Sequence, residues 1–279
     1  MTSQSAKGEA FGALHARDGA FVIPNPWDAG SARILATLGF GALATTSAGC
    51  AFSAGKKDFT IGREAMLAHV AAIASATGLP VSADLEDGYA RDLKGIAETY
   101  RLAAAAGAVG ASIEDATHDD RQPLLDIARA AERVRAAAEV VHALPFPFTL
   151  TARAENFLVG RRDLKDTIAR LQAYQDAGAD VLYAPGLSDA ADIATVVREV
   201  DRPVNVVMGL AGSSLDLAAL AALGVKRVSV GSALCRAAFG AFVRAAREMR
   251  EHGTFGFAKD AIGYAEISAM FDPGIAAHE

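Results

Sequence analysis

Eight short apolar runs rich in β-branched residues, each followed by an alanine-rich stretch with helical spacing, recur along the 279 residues. The runs fall at 20–24, 41–46, 79–84, 108–114, 148–153, 179–185, 202–208 and 226–231. Helical spacing covers 64–77, 93–106, 123–138 and 164–177. Several of these stretches stop at a glycine just before the next strand, as at Gly78, Gly107, Gly178 and Gly224, the expected C-terminal signal of a helix. Strands this continuously apolar must be covered on both faces, which calls for a parallel sheet. Eight βα units in a chain of this length predict one (β/α)8 TIM barrel over residues 1–279 rather than an open doubly wound sheet. A helix over 232–251 completes the eighth unit. Residues 256–279 are then a C-terminal helical extension surplus to the barrel, and Phe255, Phe257, Ile262, Ile267 and Phe271 are expected to dock on a second subunit.

The formal net charge of -6, without any block of lysine or arginine, argues against nucleic acid or an anionic membrane as partner. No apolar run reaches 18 residues and the first residues lack the apolar core of a signal peptide, so a cytoplasmic location is expected. Cys50 and Cys235 form no CxxC pair and read as packing residues. Gly39, Gly41 and Ala44 match GxGxxA but lead into a strand instead of joining strand to helix, which removes the dinucleotide reading. GxSxG, Walker and HExxH motifs are absent. Lys226 begins its strand, where a Schiff-base lysine would be needed at a strand's end.

In a barrel of this kind the chemistry gathers at the C-terminal ends of the strands. Those ends carry Asn25, Trp27 and Asp28; Thr45, Thr46 and Ser47; Asp84, Glu86 and Asp87; Glu114 and Asp115; Arg153 and Glu155, with Asn205 inside strand seven. Two carboxylates about 5 Å apart repel by roughly 3 kcal/mol at an effective dielectric of about 20, so the crowding at 84–87 needs a counter-charge. At period two Asp84 and Glu86 share a strand face, and Glu114 ends the adjacent strand. Three carboxylates without thiolate or clustered imidazole suit a hard cation, Mg2+ or Mn2+. Asp87 points the other way and is expected to cap the next helix. Arg153 either pairs with Glu155 or clamps a substrate carboxylate. Thr46 and Ser47, with the amides of Ala48 and Gly49, offer donors to a second anionic group. His118 reads as an exposed loop histidine. The connection over 50–60 is long for a βα unit and is expected to act as a mobile lid carrying Lys56, Lys57 or Asp58 toward the mouth.

The run NPWDAGSARILATLGFGALATTSAG, then ADLEDGYA, IEDA, TARAENF and PVNVVMG, in this order, resembles the isocitrate lyase and phosphoenolpyruvate (PEP) mutase superfamily, in particular its PEP mutase-like branch. The similarity covers about residues 20–240. It implies a barrel whose C-terminal helix is exchanged between subunits, a homodimer or homotetramer, and a Mg2+-dependent site for small 2-oxo or 2-hydroxy carboxylates acting through a metal-stabilised enolate. By position, Asp84, Glu86 and Glu114 match the metal-binding acids, Thr46, Ser47 and Ala48 the segment for the substrate's anionic end, Arg153 the carboxylate-binding arginine and Asn205 a further substrate contact. Arg153, Glu114 and Asp58 are the expected catalytic residues.

The departures matter. The usual Asp-x-Asp-Thr-Gly-Tyr-Gly reads DLEDGYA here, and the Lys-Lys-Cys-Gly-His loop of the true lyases is replaced by DATHDDRQP, without cysteine and without the mutase's asparagine-bearing loop. A lyase or decarboxylase of a small (di)carboxylate is the leading expectation. Phosphonate P–C chemistry, with GLAGSS at 209–214 near phosphoryl oxygens, and a non-catalytic keto-acid-binding barrel are the alternatives.

Overall fold

The computed structural model describes residues 2–117, 119–210 and 214–272; His118 and the middle of the 209–214 motif lie outside them. All eight expected strands are present: β1 (Phe21–Ile23), β2 (Leu43–Ala44), β3 (Val81–Asp84), β4 (Gly110–Glu114), β5 (Thr149–Arg153), β6 (Val181–Tyr183), β7 (Val204–Val207) and β8 (Arg227–Ser229). They pair in parallel in the order β1-β8-β7-β6-β5-β4-β3-β2. The remaining seam, between β1 and β2, is stitched where Ala44 N donates to Pro24 O at 3.1 Å and Asn25 Nδ2 to Thr45 O at 3.0 Å. The result is a nearly closed (β/α)8 barrel.

Around it run α1 (Gln4–Ala16), α2 (Ala29–Thr37), α3 (Ser47–Ser53), α4 (Arg63–Ala76), α5 (Leu93–Ala105), α6 (Ile127–His142), α7 (Leu164–Asp176), α8 (Ala190–Glu199), α9 (Leu217–Ala222), α10 (Ala233–His252) and α11 (Tyr264–Ala269). None of them is long and apolar enough to cross a membrane. Aspartates 28, 92, 126, 163, 189 and 216 each accept backbone N–H bonds at a helix start, a contribution of about 1 kcal/mol apiece. Much of the acid behind the strand ends is therefore structural. Asp126 also explains why α6 starts later than its spacing suggests, and ahead of it Ala116 and Leu124 form a bridge and Thr117 N donates to Pro123 O at 3.0 Å.

Strand residues alternate between two environments. Ala111, Ile113, Leu150, Ala152, Leu182, Val204, Val206 and Val228 pack outward into the main apolar cluster. Their neighbours point into the barrel, and across five strands Glu114, Arg153, Tyr183, Asn205 and Arg227 are direct register partners. A polar row thus runs through an interior that barrels usually fill with branched apolar side chains.

The N-terminal end of the barrel is plugged by α1, an element that the strand and helix alternation did not demand. Phe11 is fully buried against Phe21, Ile23, Ala42 and Val109. Gly8 and Gly110 permit the approach, because a Cβ on Gly8 would lie 2.2 Å from Pro147 O and one on Gly110 2.7 Å from the Phe11 ring. His15 follows, with Nδ1 donating to Phe11 O at 2.8 Å and Nε2 left to accept from Arg227 Nη1 at 3.4 Å.

The other end departs from expectation. Of the twenty residues of α10 only Cys235 is buried, so the eighth helix does not close onto the barrel as its sequence position suggested. Residues 256–271 split into a 3-10 turn (Gly256–Asp260) and the six-residue α11. Arg33 of α2 holds this segment by donating to Phe271 O at 2.8 Å.

His15 makes a pH dependence predictable. Burial first, then the charge of Arg227, push it from 6.5 down to about 3. Unfolded His15 takes a proton near pH 6.5 while the folded side chain refuses it, so its contribution is complete above about pH 6.5 and is lost as pH falls toward 3. At about 1.4 kcal/mol per tenfold change this is on the order of 4 to 5 kcal/mol. Urea unfolding between pH 7 and 4 should show His15→Gln losing several kcal/mol less stability than the wild type over that interval; parallel curves would refute the assignment.

Candidate active site

The strand ends enclose a cavity of about 210 Å³. Arg153, at the end of β5, occupies its centre. Nη1 lies 3.1 Å from Asp84 Oδ1 and 3.2 Å from Glu114 Oε2, and Nε lies 2.7 Å from Glu155 Oε1. The guanidinium carbon sits 5.1 Å from the centre of the Tyr183 ring. Burial works to lower the Arg153 pKa, but Glu155, Glu114 and Asp84 outweigh it and hold the pKa well above its ordinary value. Glu114 and Glu155 are both pushed up by burial, with Arg153 pulling the other way. Both readings of Arg153 therefore remain compatible: it pairs with Glu155 and still faces the cavity.

Asp84 joins this cluster to the next wall. Its Oδ2 accepts from the Ser47 amide and the Ser47 hydroxyl, both at 2.9 Å, and Ser112 Oγ stands 3.3 Å from Oδ1. Thr46 caps α3 by accepting from Gly49 N at 3.2 Å. Gly49 must be glycine, since a Cβ would come within 2.5 Å of the Thr46 methyl and 3.0 Å of Trp27. Thr46, Ser47, Ala48, Asp84, Glu114, Arg153 and Asn205 all line the cavity, as does Asp58.

Glu86 does not share the Asp84 face. The strand ends at Asp84, and Glu86 takes φ 47°, a left-handed conformation that breaks the period-two alternation. Its side chain is buried behind the cavity wall, with Oε1 lacking any partner. Burial, then Asp84 and Asp58, raise its pKa to about 8. The Tyr89 hydroxyl is near enough to moderate that rise and is itself buried without a hydrogen-bond partner. Asp87 does not cap α5, a role taken by Asp92; it accepts from Tyr89 N at 2.9 Å and faces Arg133, which bonds the carbonyls of Asp87 and Ala90.

Asp115 is a bracket rather than a site residue. It accepts from Arg170 Nη1 at 2.9 Å, Tyr174 OH at 2.5 Å and Glu155 N at 2.9 Å, tying the ends of β4 and β5 to α7. The expected lid is shorter than the sequence suggested, because α3 takes up the first four residues of 50–60. Lys56 and Lys57 are exposed, while Asp58 and Phe59 face the cavity, opposite Leu158. Phe59 has φ 60°, a conformation that costs a bulky residue on the order of 1–2 kcal/mol.

Among the lining residues not anticipated are the strand residues Ser82, Ser112, Tyr183, Arg227 and Ser229. A polar residue alternating with apolar ones inside a strand was their only signal, the one that had singled out Asn205.

The donors around Asp84, Glu86 and Glu114 are all oxygen, which suits a hard divalent cation. The partnerless Glu86 oxygen and the raised pKa values of Glu86 and Glu114 mark a site short of positive charge. Among the described residues no three His, Cys, Asp or Glu side chains already converge as ligands, since Arg153 stands between Asp84 and Glu114. Asp84 and Glu114, which line the cavity, and Glu86 with its partnerless oxygen are the residues that would hold such a cation.

A family profile described as Phosphoenolpyruvate phosphomutase matches residues 11–250. The chain belongs to that family. A crystal structure from Burkholderia cenocepacia J2315, named only as a candidate lyase/mutase, is 61% identical, superposes with a TM-score of 0.96 and shares 98% of each chain. An uncharacterized protein of Mycobacterium tuberculosis (strain ATCC 25618 / H37Rv) is 34% identical over 93% of this chain and 95% of its own. The oxaloacetate decarboxylase of Chromohalobacter salexigens is 29% identical over 86% and 84%. An oxaloacetate acetylhydrolase in complex with oxalate is 25% identical, with a TM-score of 0.86 over 97% of this chain and 95% of that one. This places the protein among the lyases of the isocitrate lyase/PEP mutase superfamily.

Glu86 offers a test of the cation reading. Glu86→Gln removes a buried carboxylate from a repelling group, so in EDTA its melting temperature should rise by a few degrees, as a gain on the order of 1 kcal/mol does for a chain of this size. The same change should weaken Mg2+ binding several-fold by calorimetry. A variant less stable in EDTA with unchanged Mg2+ affinity would make Glu86 purely structural.

Proposed function

We propose that the protein is a Mg2+-dependent lyase or decarboxylase of a small 2-oxo or 2-hydroxy (di)carboxylate, acting through a metal-stabilised enolate. The observation that carries this reading is the Arg153 guanidinium, held in a cavity between Asp84, Glu114 and Glu155. The relatives named for oxaloacetate chemistry support it.

Asp84, Glu86 and Glu114 would hold the cation, which when bound supplies an electron sink for charge developing on a keto oxygen. The chain's own residues do the rest. Once Asp84 and Glu114 share their charge with a cation, Arg153, still held by Glu155, can present its free N–H groups to a ligand carboxylate. Ser47 keeps Asp84 in place, while Thr46 and Ala48 meet the other anionic end. Glu114, 3.2 Å from Arg153, helps to hold the guanidinium facing the ligand. Asp58 and Phe59 narrow the mouth and limit water.

Oxalate copies a planar enolate of pyruvate, and binding that favours the charged, reaction-like form is what accelerates a reaction. Calorimetry should show oxalate binding at least about tenfold more tightly than pyruvate with Mg2+ saturating, losing affinity in EDTA and in Arg153→Ala. Equal affinities, or binding indifferent to EDTA, would leave simple anion binding instead.

We also infer a homodimer or homotetramer. Phe242 on α10 is 69% exposed, Phe255 68% and Tyr264 88%, which is apolar surface suited to a second copy. Light scattering should find an oligomer that Phe242→Asp together with Phe255→Asp dissociates; a monomeric wild type would refute the assembly.

A further inference from the structure

The cavity holds a second guanidinium in an electrostatic situation opposite to that of Arg153. Arg227 begins β8, is 5% exposed and lines the cavity's floor. Its contacts are all to neutral acceptors. Nε donates to Asn205 Oδ1 at 2.9 Å, Nη2 to Thr151 Oγ1 at 2.9 Å, and Nη1 faces His15 Nε2 at 3.4 Å. No described carboxylate pairs with it. Burial lowers its pKa to about 10, which still leaves it charged at neutral pH.

A buried charge is tolerated when an opposite charge or a full set of hydrogen bonds meets it. Arg227 has only part of that set. Guanidinium carries five N–H donors, and three are used, so one hydrogen on each η-nitrogen remains for a ligand. The surrounding polar groups have a fixed direction. His15 donates through Nδ1 to Phe11, so its Nε2 can only accept. Asn205 takes the Arg227 hydrogen on Oδ1, so its amide nitrogen must donate, which it does to Ser229 Oγ at 3.0 Å. The acceptors around Arg227 are thus committed to one another, and its positive charge lines the cavity without a carboxylate of the described residues beside it.

We infer that Arg227 is an anion-anchoring residue of this cavity, one that selects ligands carrying a second negative charge. Arg153, with three carboxylates within 3.2 Å, is already matched by the chain itself. No carboxylate of the described residues matches the charge of Arg227, and a second carboxylate or similar anionic group of the ligand would supply the missing charge. The inference rests on reading this cavity as the ligand site and deepens the proposed function by specifying dianions over monoanions.

The test uses ligand pairs of equal shape that differ by one charge: oxalate against oxamate, malonate against malonamate and succinate against succinamate. Affinities are measured calorimetrically for the full chain, with saturating Mg2+ and in EDTA, for wild type, Arg227→Lys and Arg227→Gln, with melting curves to confirm folding. The wild type should prefer at least one diacid about tenfold or more. Arg227→Lys should keep most of that ratio and Arg227→Gln should bring it near one. A merely structural role would weaken both members of a pair together and leave the ratio unchanged, which would overturn the inference, as would a wild type that shows no preference or binds none of the pairs. Mg2+-dependent binding with an unchanged ratio in Arg227→Gln would sink the inference and spare the lyase reading. A ratio lost in Arg227→Gln but indifferent to Mg2+ would do the reverse. Should both variants fail to fold, a crystal of the wild type soaked in malonate decides: a carboxylate oxygen in hydrogen-bond contact with an Arg227 η-nitrogen is expected, and malonate seated away from Arg227 or absent would overturn the inference.

Discussion

A guanidinium set among three carboxylates inside a barrel is the interaction to which the rest of the structure conforms. Removing such charges from water costs several kcal/mol per ion, and the geometry offsets this only because Asp84, Glu114 and Glu155 reach Arg153 from β3, β4 and the end of β5. That requires β3, β4 and β5 to stay in register, so the cluster and the sheet define each other. It also gives the inner row to polar side chains. Apolar stabilisation is displaced to the shell between strands and helices, where Tyr100, Tyr174, Leu150 and Leu171 are wholly or almost wholly buried. The barrel is held from outside and does its chemistry inside.

The chain's acids divide by what meets them. Those beginning helices are satisfied by backbone N–H groups, and Asp115 by Arg170, Tyr174 and a backbone amide. Asp84 is satisfied by serine donors and an arginine. Of the acids among the described residues, Glu86 is the one with a buried oxygen that lacks a partner, and it occupies one of the few left-handed non-glycine positions. Strain and an unmet acceptor at one residue are expected where function, not stability, selects the side chain.

Much of this was legible in the sequence. The strands announced themselves because a parallel barrel strand must be apolar on its outer face, whereas the acids at strand ends could not be sorted by sequence: Asp84 and Glu114 line the cavity, while Asp28 and Asp115 at similar positions are structural. Glu86 was misplaced for a local reason: period two holds only while the strand continues, and nothing in DLEDGYA declares a left-handed turn at a glutamate. Arg227, Tyr183 and Ser112 were missed because their role depends on register between strands distant in sequence. The exposure of α10 was invisible for a related reason, since an amphipathic helix reads the same whether its apolar side meets its own barrel or another chain.

Ser47 shows how closely two functions of the site are joined. Its amide and hydroxyl both bind one Asp84 oxygen, so the wall proposed for a ligand's anionic end and the acid proposed for the cation share a single residue of contact. A shift of that wall to admit a ligand pulls on Asp84, and any change in the charge around Asp84 alters the pull on Ser47. By linkage each must influence the other's affinity equally. Two charged groups placed on separate strands could act independently; here the short step from β2 into α3, made possible by Gly49 against Trp27, removes that independence.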